Sequence, residues 1–406
     1  MKYRILFLLL IISSAAFTQY KFDNVSYKTV YINELCDALK RTPGHLLLDV
    51  RSKGEYYDTS ASSSLNIGHL KGATNIDINE LDKRWRELLP YKDKPVFVYC
   101  SHSQRSRRCS KMLADSGFTN IINVNGAMTE FNLLKNSAVD CSNDLYETNN
   151  KFKLISPTEV ENMMLTQKDL FILDVRHDSA FRGIASDAAG NALGKLKGAV
   201  NIPFDQLPSS LNKIPVNRPV LVVSDFGPET NLAATLLANK GYTNIYAAFN
   251  GMNQWMSASA KDVPQRKQLW ENNNRFSVIT AEEMDAELTK TPNTFILDAR
   301  TTEQFNNQSK QTWQNRGHVV NAVNIPAADL NKRLDEIKDQ KNKDIILYTF
   351  GNNPEVFDAA KTLTDNGFTK VHILTGGLWD IRWKAANLQG LTRLMKWVID
   401  VPSDNL

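Results

Sequence analysis

The 406-residue chain is poor in the residues that usually announce a metal or redox site. It has four cysteines, Cys36, Cys100, Cys109 and Cys141, too few over this length for a disulfide framework. None stands in a CxxC pair, which argues against a redox-chaperone role. The six histidines are scattered without ligand spacing, so neither a metal nor another cofactor is expected. Charge of one sign is also scarce. The formal charge is +4, and +2 without Lys2 and Arg4, so nothing favours nucleic acid or a membrane surface as partner. Only one strongly apolar run stands near a terminus, Ile5 to Ile12, between the basic start Met1-Lys2-Tyr3-Arg4 and the small residues Ser13 to Ala16. It is far shorter than the ~20 residues that span a bilayer. Basic, apolar, then small is the order of a secretory signal peptide, expected over residues 1–18. No cysteine stands near the cleavage region to carry a lipid. The mature protein is therefore expected to be periplasmic or secreted, without membrane attachment after cleavage.

What the sequence does have is self-similarity. LLLDVRS (46–52) recurs as LFILDVRH (170–177) and TFILDAR (294–300), placing Asp49, Asp174 and Asp298 125 and 124 residues apart. GHLKGATNI (68–76), PVFVYC (95–100) and SGFTNIINVNGAM (116–128) each recur twice more, in the same order. Short apolar runs such as Val96–Tyr99 and Phe171–Leu173 predict buried parallel strands. Ile32–Leu39 and Ser106–Ser116 have helical periodicity, the latter placing Cys109, Met112 and Leu113 on one face. Gly117, Gly241 and Gly367 stand where a helix should stop. Strands alternating with helices predict an α/β fold, a parallel sheet with helices on both faces, in each of three tandem domains over 25–140, 152–258 and 276–395. The polar stretches Ser142–Lys151 and Ser257–Asn274 read as linkers. Leu391–Ile399 reads as a terminal helix or a frayed tail.

Cys100 directly follows the strand Val96–Tyr99, and a helix begins near Ser106. This sets a thiol at the C-terminal edge of a parallel sheet and over a helix N-terminus, where open α/β sheets bind their ligands. Loop amides there would form an anion nest reinforced by the helix dipole, and Arg105 adds a positive charge. Thiolate is the reactive form, and a free cysteine is only about 3% thiolate at pH 7, so such a cradle matters to chemistry.

These blocks resemble the rhodanese (sulfurtransferase) domain in Asp49-Val50-Arg51, Glu55-Tyr56, Gly68-His69-Leu70-Lys71-Gly72-Ala73, Asn75-Ile76 and the loop Cys100-Ser101-His102-Ser103-Gln104-Arg105-Ser106. The resemblance covers three copies, about residues 25 to 395. It implies that Cys100 carries sulfane sulfur as a persulfide, taken from a small anionic donor such as thiosulfate and passed to a thiol or cyanide acceptor. Arg105, Ser101, His102, Ser103, Gln104 and Ser106 would form the substrate cradle. Related phosphatases have five residues between cysteine and arginine; this chain has four, which favours sulfur over phosphate. Ser103 stands where the family usually has glycine, so a φ > 0 position is expected to be lost or held under strain.

At the position of Cys100, domain 2 has Ser224 and domain 3 has Thr349, and neither hydroxyl can hold a persulfide. Glu229 reverses the charge at the arginine position. Both domains are expected to be inactive, packing on domain 1 or presenting a protein acceptor. The rival from another class is a secreted scaffold or binding protein built of degenerate domains. Cys36 and Cys109 read as core. Cys141 could cap Cys100, pair with Cys36 or lie exposed, and exposure is the favoured reading. Asp49 and Arg51 read as a brace for the junction between strand and loop.

Overall fold

The computed structural model describes residues 23–226 and 228–402. The expected signal peptide, residues 1–18, lies outside them, as does Gly227 in the loop of domain 2. Each repeat folds around one five-stranded parallel sheet. In domain 1 the order is Lys28–Tyr31, Ile121–Asn125, Val96–Tyr99, Leu46–Asp49 and Thr74–Asn75. The sheets centred on Val220–Val223 and Ile345–Tyr348 repeat that order. The central strands Leu46–Asp49 and Val96–Tyr99 are buried along their whole length. That is why they read as continuous apolar runs rather than alternating ones.

The DVR and DAR segments show what the recurring sequence is for. Arg51 bonds Asp49 through both carboxylate oxygens, at 2.7 to 3.1 Å, and donates to the Gly68 carbonyl at 2.8 Å. Arg176 does the same between Asp174 and the Gly194 carbonyl, and Arg300 between Asp298 and the Gly317 carbonyl. Asn75, Asn201 and Asn324 close each brace by donating to the Asp and Arg carbonyls. Both members of the Asp49–Arg51 pair are 0% exposed. This ties the end of one strand to the crossover that follows it, in all three domains alike.

Three expectations are corrected here. The stretches read as linkers are straps. Tyr146–Glu147 pairs antiparallel with His69–Leu70, and Trp270–Glu271 with Lys195–Leu196. Nor is the C-terminal segment a helix that merely docks or frays: a short 3-10 turn, Thr392–Trp397, leads into Val398–Ile399, which pairs with His318–Val319. Two-residue strands have no periodicity, so composition alone suggested linkers. Cys141 is not left exposed as a free thiol but forms a disulfide with Cys36. Half-buried, it packs against the same apolar cluster as Cys36. A crosslink closing a loop of this length (separation 105) stabilises by about 4.7 kcal/mol in the chain-entropy account. Cys100 and Cys109 remain free and buried.

The domains pack head to tail. In domain 2 the start of helix Glu229–Asn239 lies against the turn Ser63–Leu65 of domain 1. There Asn231 donates to the Ser63 carbonyl at 2.7 Å, and Ser63 donates to the Pro228 carbonyl. The corresponding helix of domain 3, Pro354–Asp365, lies against Ala188–Ala192 of domain 2. Domain 1 meets domain 3 differently: Arg107 and Asn125 both donate to the Ala386 carbonyl at 3.2 Å. No helix among the described residues is long and apolar enough to cross a membrane.

Candidate active site

The end of strand Val96–Tyr99 delivers Cys100 to the floor of a tight loop, where it is 1% exposed. The Ser103 amide donates to its sulfur at 3.1 Å. The Ser106 hydroxyl lies 3.8 Å from the sulfur, within reach of the Ser103 carbonyl and of Asn123 Oδ1. The helix Gln104–Asp115 begins directly behind the loop. Its first amides have no partner within the helix and carry the positive end of its dipole.

Ser103 keeps the left-handed conformation in place of the family's glycine, at φ +87°. For a residue with a side chain this costs about 1–2 kcal/mol. The serine is fully buried, and its hydroxyl accepts the Gly126 amide at 2.7 Å, a bond that glycine could not make. Strain in the loop is thus exchanged for a tie to the start of helix Ala127–Leu134. That helix holds the loop from below as well: Met128 and Thr129 amides donate to the Cys100 and Ser101 carbonyls.

Arg105, read from the sequence as a positive charge beside the loop, is ion-paired. Its guanidinium makes two bonds of 2.7 Å to Glu55 and one of 3.0 Å to Ser101 Oγ. Burial alone would push the Glu55 carboxyl up, but the bond to Arg105 and its charge hold it below the usual carboxylate range. Glu55 also caps its own short helix, Lys53–Tyr56, by accepting the Ser52 amide. His102 and Gln104 are exposed at the rim, and His102 Nδ1 lies 2.9 Å from Ser101 Oγ. Desolvation in the crowded loop mouth, and then the Arg105 charge, lower the His102 pKa. Burial drives the Cys109 thiol far up, and Cys109 takes no part in the site.

The structure therefore brings Cys100, Ser101, Ser103, Arg105 and Ser106 together, with His102 and Gln104 at the mouth. Three contributors were not singled out from sequence. Glu55 was quoted only as part of a motif, and Asn123 and Asn125 form a buried polar ladder behind Ser106 and Arg107. Comparison of the repeats carries the signal. Ala180 and Gln304 stand where domain 1 has Glu55, Ala247 and Ile373 where it has Asn123. In domain 2, Ser224 Oγ lies 2.7 Å from Thr230 Oγ1; in domain 3, Thr349 turns its hydroxyl onto the Gly351 carbonyl. No described group of three or more His, Cys, Asp or Glu side chains is placed to hold a metal ion.

Comparison with known proteins agrees with this geometry at the level of the family. A profile for the rhodanese-like domain matches residues 32–134, 156–258 and 280–382. Thiosulfate sulfurtransferase PspE of Escherichia coli (strain K12) is 28% identical over 79 residues, which cover 20% of this chain and 76% of that protein. An uncharacterized protein, YqhL, of Bacillus subtilis (strain 168) is 34% identical over 79 residues, 20% of this chain; the match spans only 61% of YqhL. A crystal structure of thiosulfate sulfurtransferase from Pseudomonas aeruginosa aligns over 87% of this chain and 67% of its own at 16% identity. Its TM-score of 0.23 is too low to support any inference. With the profile matched three times over most of its length, the chain belongs to the rhodanese-like domain family.

Proposed function

We propose that the protein is a sulfurtransferase in which Cys100 alone carries sulfane sulfur. The observation that carries this reading is the Ser103 amide aimed at the Cys100 sulfur from 3.1 Å, at the start of a helix. An N–H donor and a helix dipole both favour negative charge on that atom. In the first half-reaction the Cys100 thiolate attacks the outer sulfur of thiosulfate. The bond between the two thiosulfate sulfurs breaks, and sulfite leaves with its electron pair. In the second, a thiol or cyanide attacks the outer sulfur of the persulfide and Cys100 departs as thiolate. Two half-reactions through a covalent intermediate predict ping-pong kinetics.

Burial of Cys100 suits this chemistry. The persulfide places its outer sulfur ~2 Å beyond the cysteine sulfur, toward the mouth where His102 and Gln104 are exposed. A bulky acceptor can thus react without reaching the loop floor. The Cys36–Cys141 disulfide supports a working compartment that is oxidising, periplasmic or extracellular. Domains 2 and 3, with Ser224 and Thr349, are read as inactive in sulfur transfer and as walls and docking faces for acceptors, including protein acceptors.

A scaffold without turnover is the second reading, favoured by the neutralisation of Arg105 by Glu55. Intact mass spectrometry of the reduced protein after brief thiosulfate treatment separates the two. One added sulfur atom in wild type, absent in Cys100→Ser and removed by cyanide, is the expected result. No adduct on a protein whose Cys100 is free would establish the scaffold.

A further inference from the structure

One side chain ties the strap of domain 1 to the crossover beneath it. Asp58, in the left-handed region at φ +56°, accepts the Gly68 amide through Oδ1 at 2.8 Å. Its Oδ2 accepts the Thr148 hydroxyl and the Asn149 amide, both at 2.8 Å. Domain 3 has Asn307 at the same place, at φ +58°. There Oδ1 accepts the Gly317 amide at 2.9 Å, and Nδ2 donates to the Asp400 carbonyl at 2.7 Å. Domain 2 has Gly183, at φ +70°. The turn is kept, but no side chain reaches the strap, and a Cβ built on Gly183 would meet no atom within 4 Å.

The surrounding donors are retained. Lys195 pairs with Glu271 across the strap as His69 does with Glu147. Trp270 Nε1 donates to the Leu193 carbonyl as the Tyr146 hydroxyl does to that of Ile67. Asn274 Nδ2 donates to the Ala192 carbonyl as Asn150 Nδ2 does to that of Asn66. This register puts Asn273 in the place of Asn149, and its amide makes no hydrogen bond among the described residues. The Gly194 amide, counterpart of Gly68, has a turn bond of only 3.3 Å to the Asn191 carbonyl. Beside Gly183 lies a cavity of about 630 Å³, bordered by Gly194, by the strap over 270–276 and by Phe357 and Lys361 of domain 3. Rings of Phe181, Trp270, Phe276 and Phe357 line it. Lys195 stands over the Phe181 ring at 4.5 Å and 3.7 Å from Glu271. Arg182 pairs with Asp178, and Arg275 and Lys361 share Asp365. Four cations thus face three carboxylates, and the walls are net positive.

We propose that this cavity binds a small aryl carboxylate, whose carboxylate takes the place that the Asp58 carboxylate has in domain 1 and whose ring lies against the aromatic walls. Domain 1 shows which group those donors select: two strap and crossover amides hold a carboxylate there. In domain 2 the same two amides remain, and Lys195 in place of His69 adds a cation. N–H donors beside a positive wall favour an anion over a neutral alcohol and disfavour an ammonium. Aromatic rings favour a planar body over an aliphatic one. Phe357 and Lys361 belong to helix Pro354–Asp365, so an occupant also ties the strap of domain 2 to domain 3.

The test is calorimetric titration of the full chain with benzoate at pH 7, with benzyl alcohol and benzylammonium as controls. Saturable binding of benzoate is expected, with slower amide exchange over 270–276. Both controls should bind more weakly by about tenfold or more, the worth of a charge-assisted hydrogen bond. Gly183→Asp supplies the carboxylate from the chain itself, in a conformation that Asp58 already adopts. It should weaken benzoate binding by a similar factor with the circular dichroism unchanged. No saturable binding, a control that binds as well as benzoate, or undiminished affinity in Gly183→Asp overturns the proposal. Should that variant fold poorly, Gly183→Asn, which copies domain 3, takes its place, and benzoate binding that survives it also overturns the site. Because binding is read directly, the result is independent of whether Cys100 transfers sulfur.

Discussion

Domains 1 and 2 share a sheet order, a buried Asp–Arg brace and a strap, yet they differ at almost every position that faces the loop. Cys100 becomes Ser224, Arg105 becomes Glu229, Glu55 becomes Ala180, and Asn123 becomes Ala247. The arginine and its carboxylate partner are absent together. A buried Glu without its Arg would be an unpaired charge, so once one member goes the other becomes a liability. The lesson is that scaffold and chemistry are separate layers here. The brace recurs, buried, in every domain, whereas the Glu55–Arg105 pair stands only beside the loop that holds a thiol.

That separation can be tested, beginning with its largest effect. Arg51→Ala, Arg176→Ala and Arg300→Ala each strand a buried aspartate, at a cost of about 3–5 kcal/mol to the domain concerned. Urea unfolding followed domain by domain should give similar losses in all three; a loss confined to domain 1 would mean that the brace belongs to the chemistry. Next comes Arg105→Ala, which leaves Glu55 unpaired. With a discount for the partial exposure of Arg105, about 2 kcal/mol is expected from domain 1, together with slower sulfur loading. Domain 2 already lacks the pair and should not respond to the matching change, Glu229→Ala.

The same pair sets an acid limit. Because the Glu55 carboxyl is held below its unfolded value, its contribution is present above about pH 4.3. It is lost as pH falls through the lower folded value. The stability gap between wild type and Glu55→Gln should therefore narrow as the pH falls below about 4.3, as measured by urea midpoints. A gap that stays constant would show that Glu55 acts through its shape rather than its charge. The smallest effect is at Ser103. Glycine relieves the left-handed strain but removes the acceptor for the Gly126 amide, for a net loss of about 1 kcal/mol. Ser103→Ala keeps the strain and loses the bond, so it should cost more than glycine. The reverse order in thermal melts would mean that the left-handed strain counts for little.

Much of this was legible in the sequence because it repeats. Three copies of a buried strand ending in Asp-x-Arg located the sheets and the brace, and a cysteine directly after such a strand located the loop. The partners of the loop were less legible. Glu55 lies 50 residues from Arg105, and Asn123 lies 17 from Ser106. No local period links them, and only the comparison of copies exposes Glu55 as peculiar to domain 1. The Cys36–Cys141 pairing spans 105 residues, and four cysteines admit several pairings, so spacing could not choose. The φ of Ser103 was foreseen as a conflict; its resolution depended on Gly126, which only the fold brings near.

The straps carry a consequence for how the chain is made. The profile matches end at residues 134, 258 and 382, before the straps at 146–147, 270–271 and 398–399. A ribosome that has finished the recognisable part of a domain has therefore not yet released its closing strand. The first two domains are completed only by residues translated on the way to the next, and the third only by residues 398–399. Vectorial synthesis thus proceeds as three latches, each shut slightly late. A stop codon placed at the apparent boundary of domain 1 would release an unlatched product, whereas one placed after Asn150 would not.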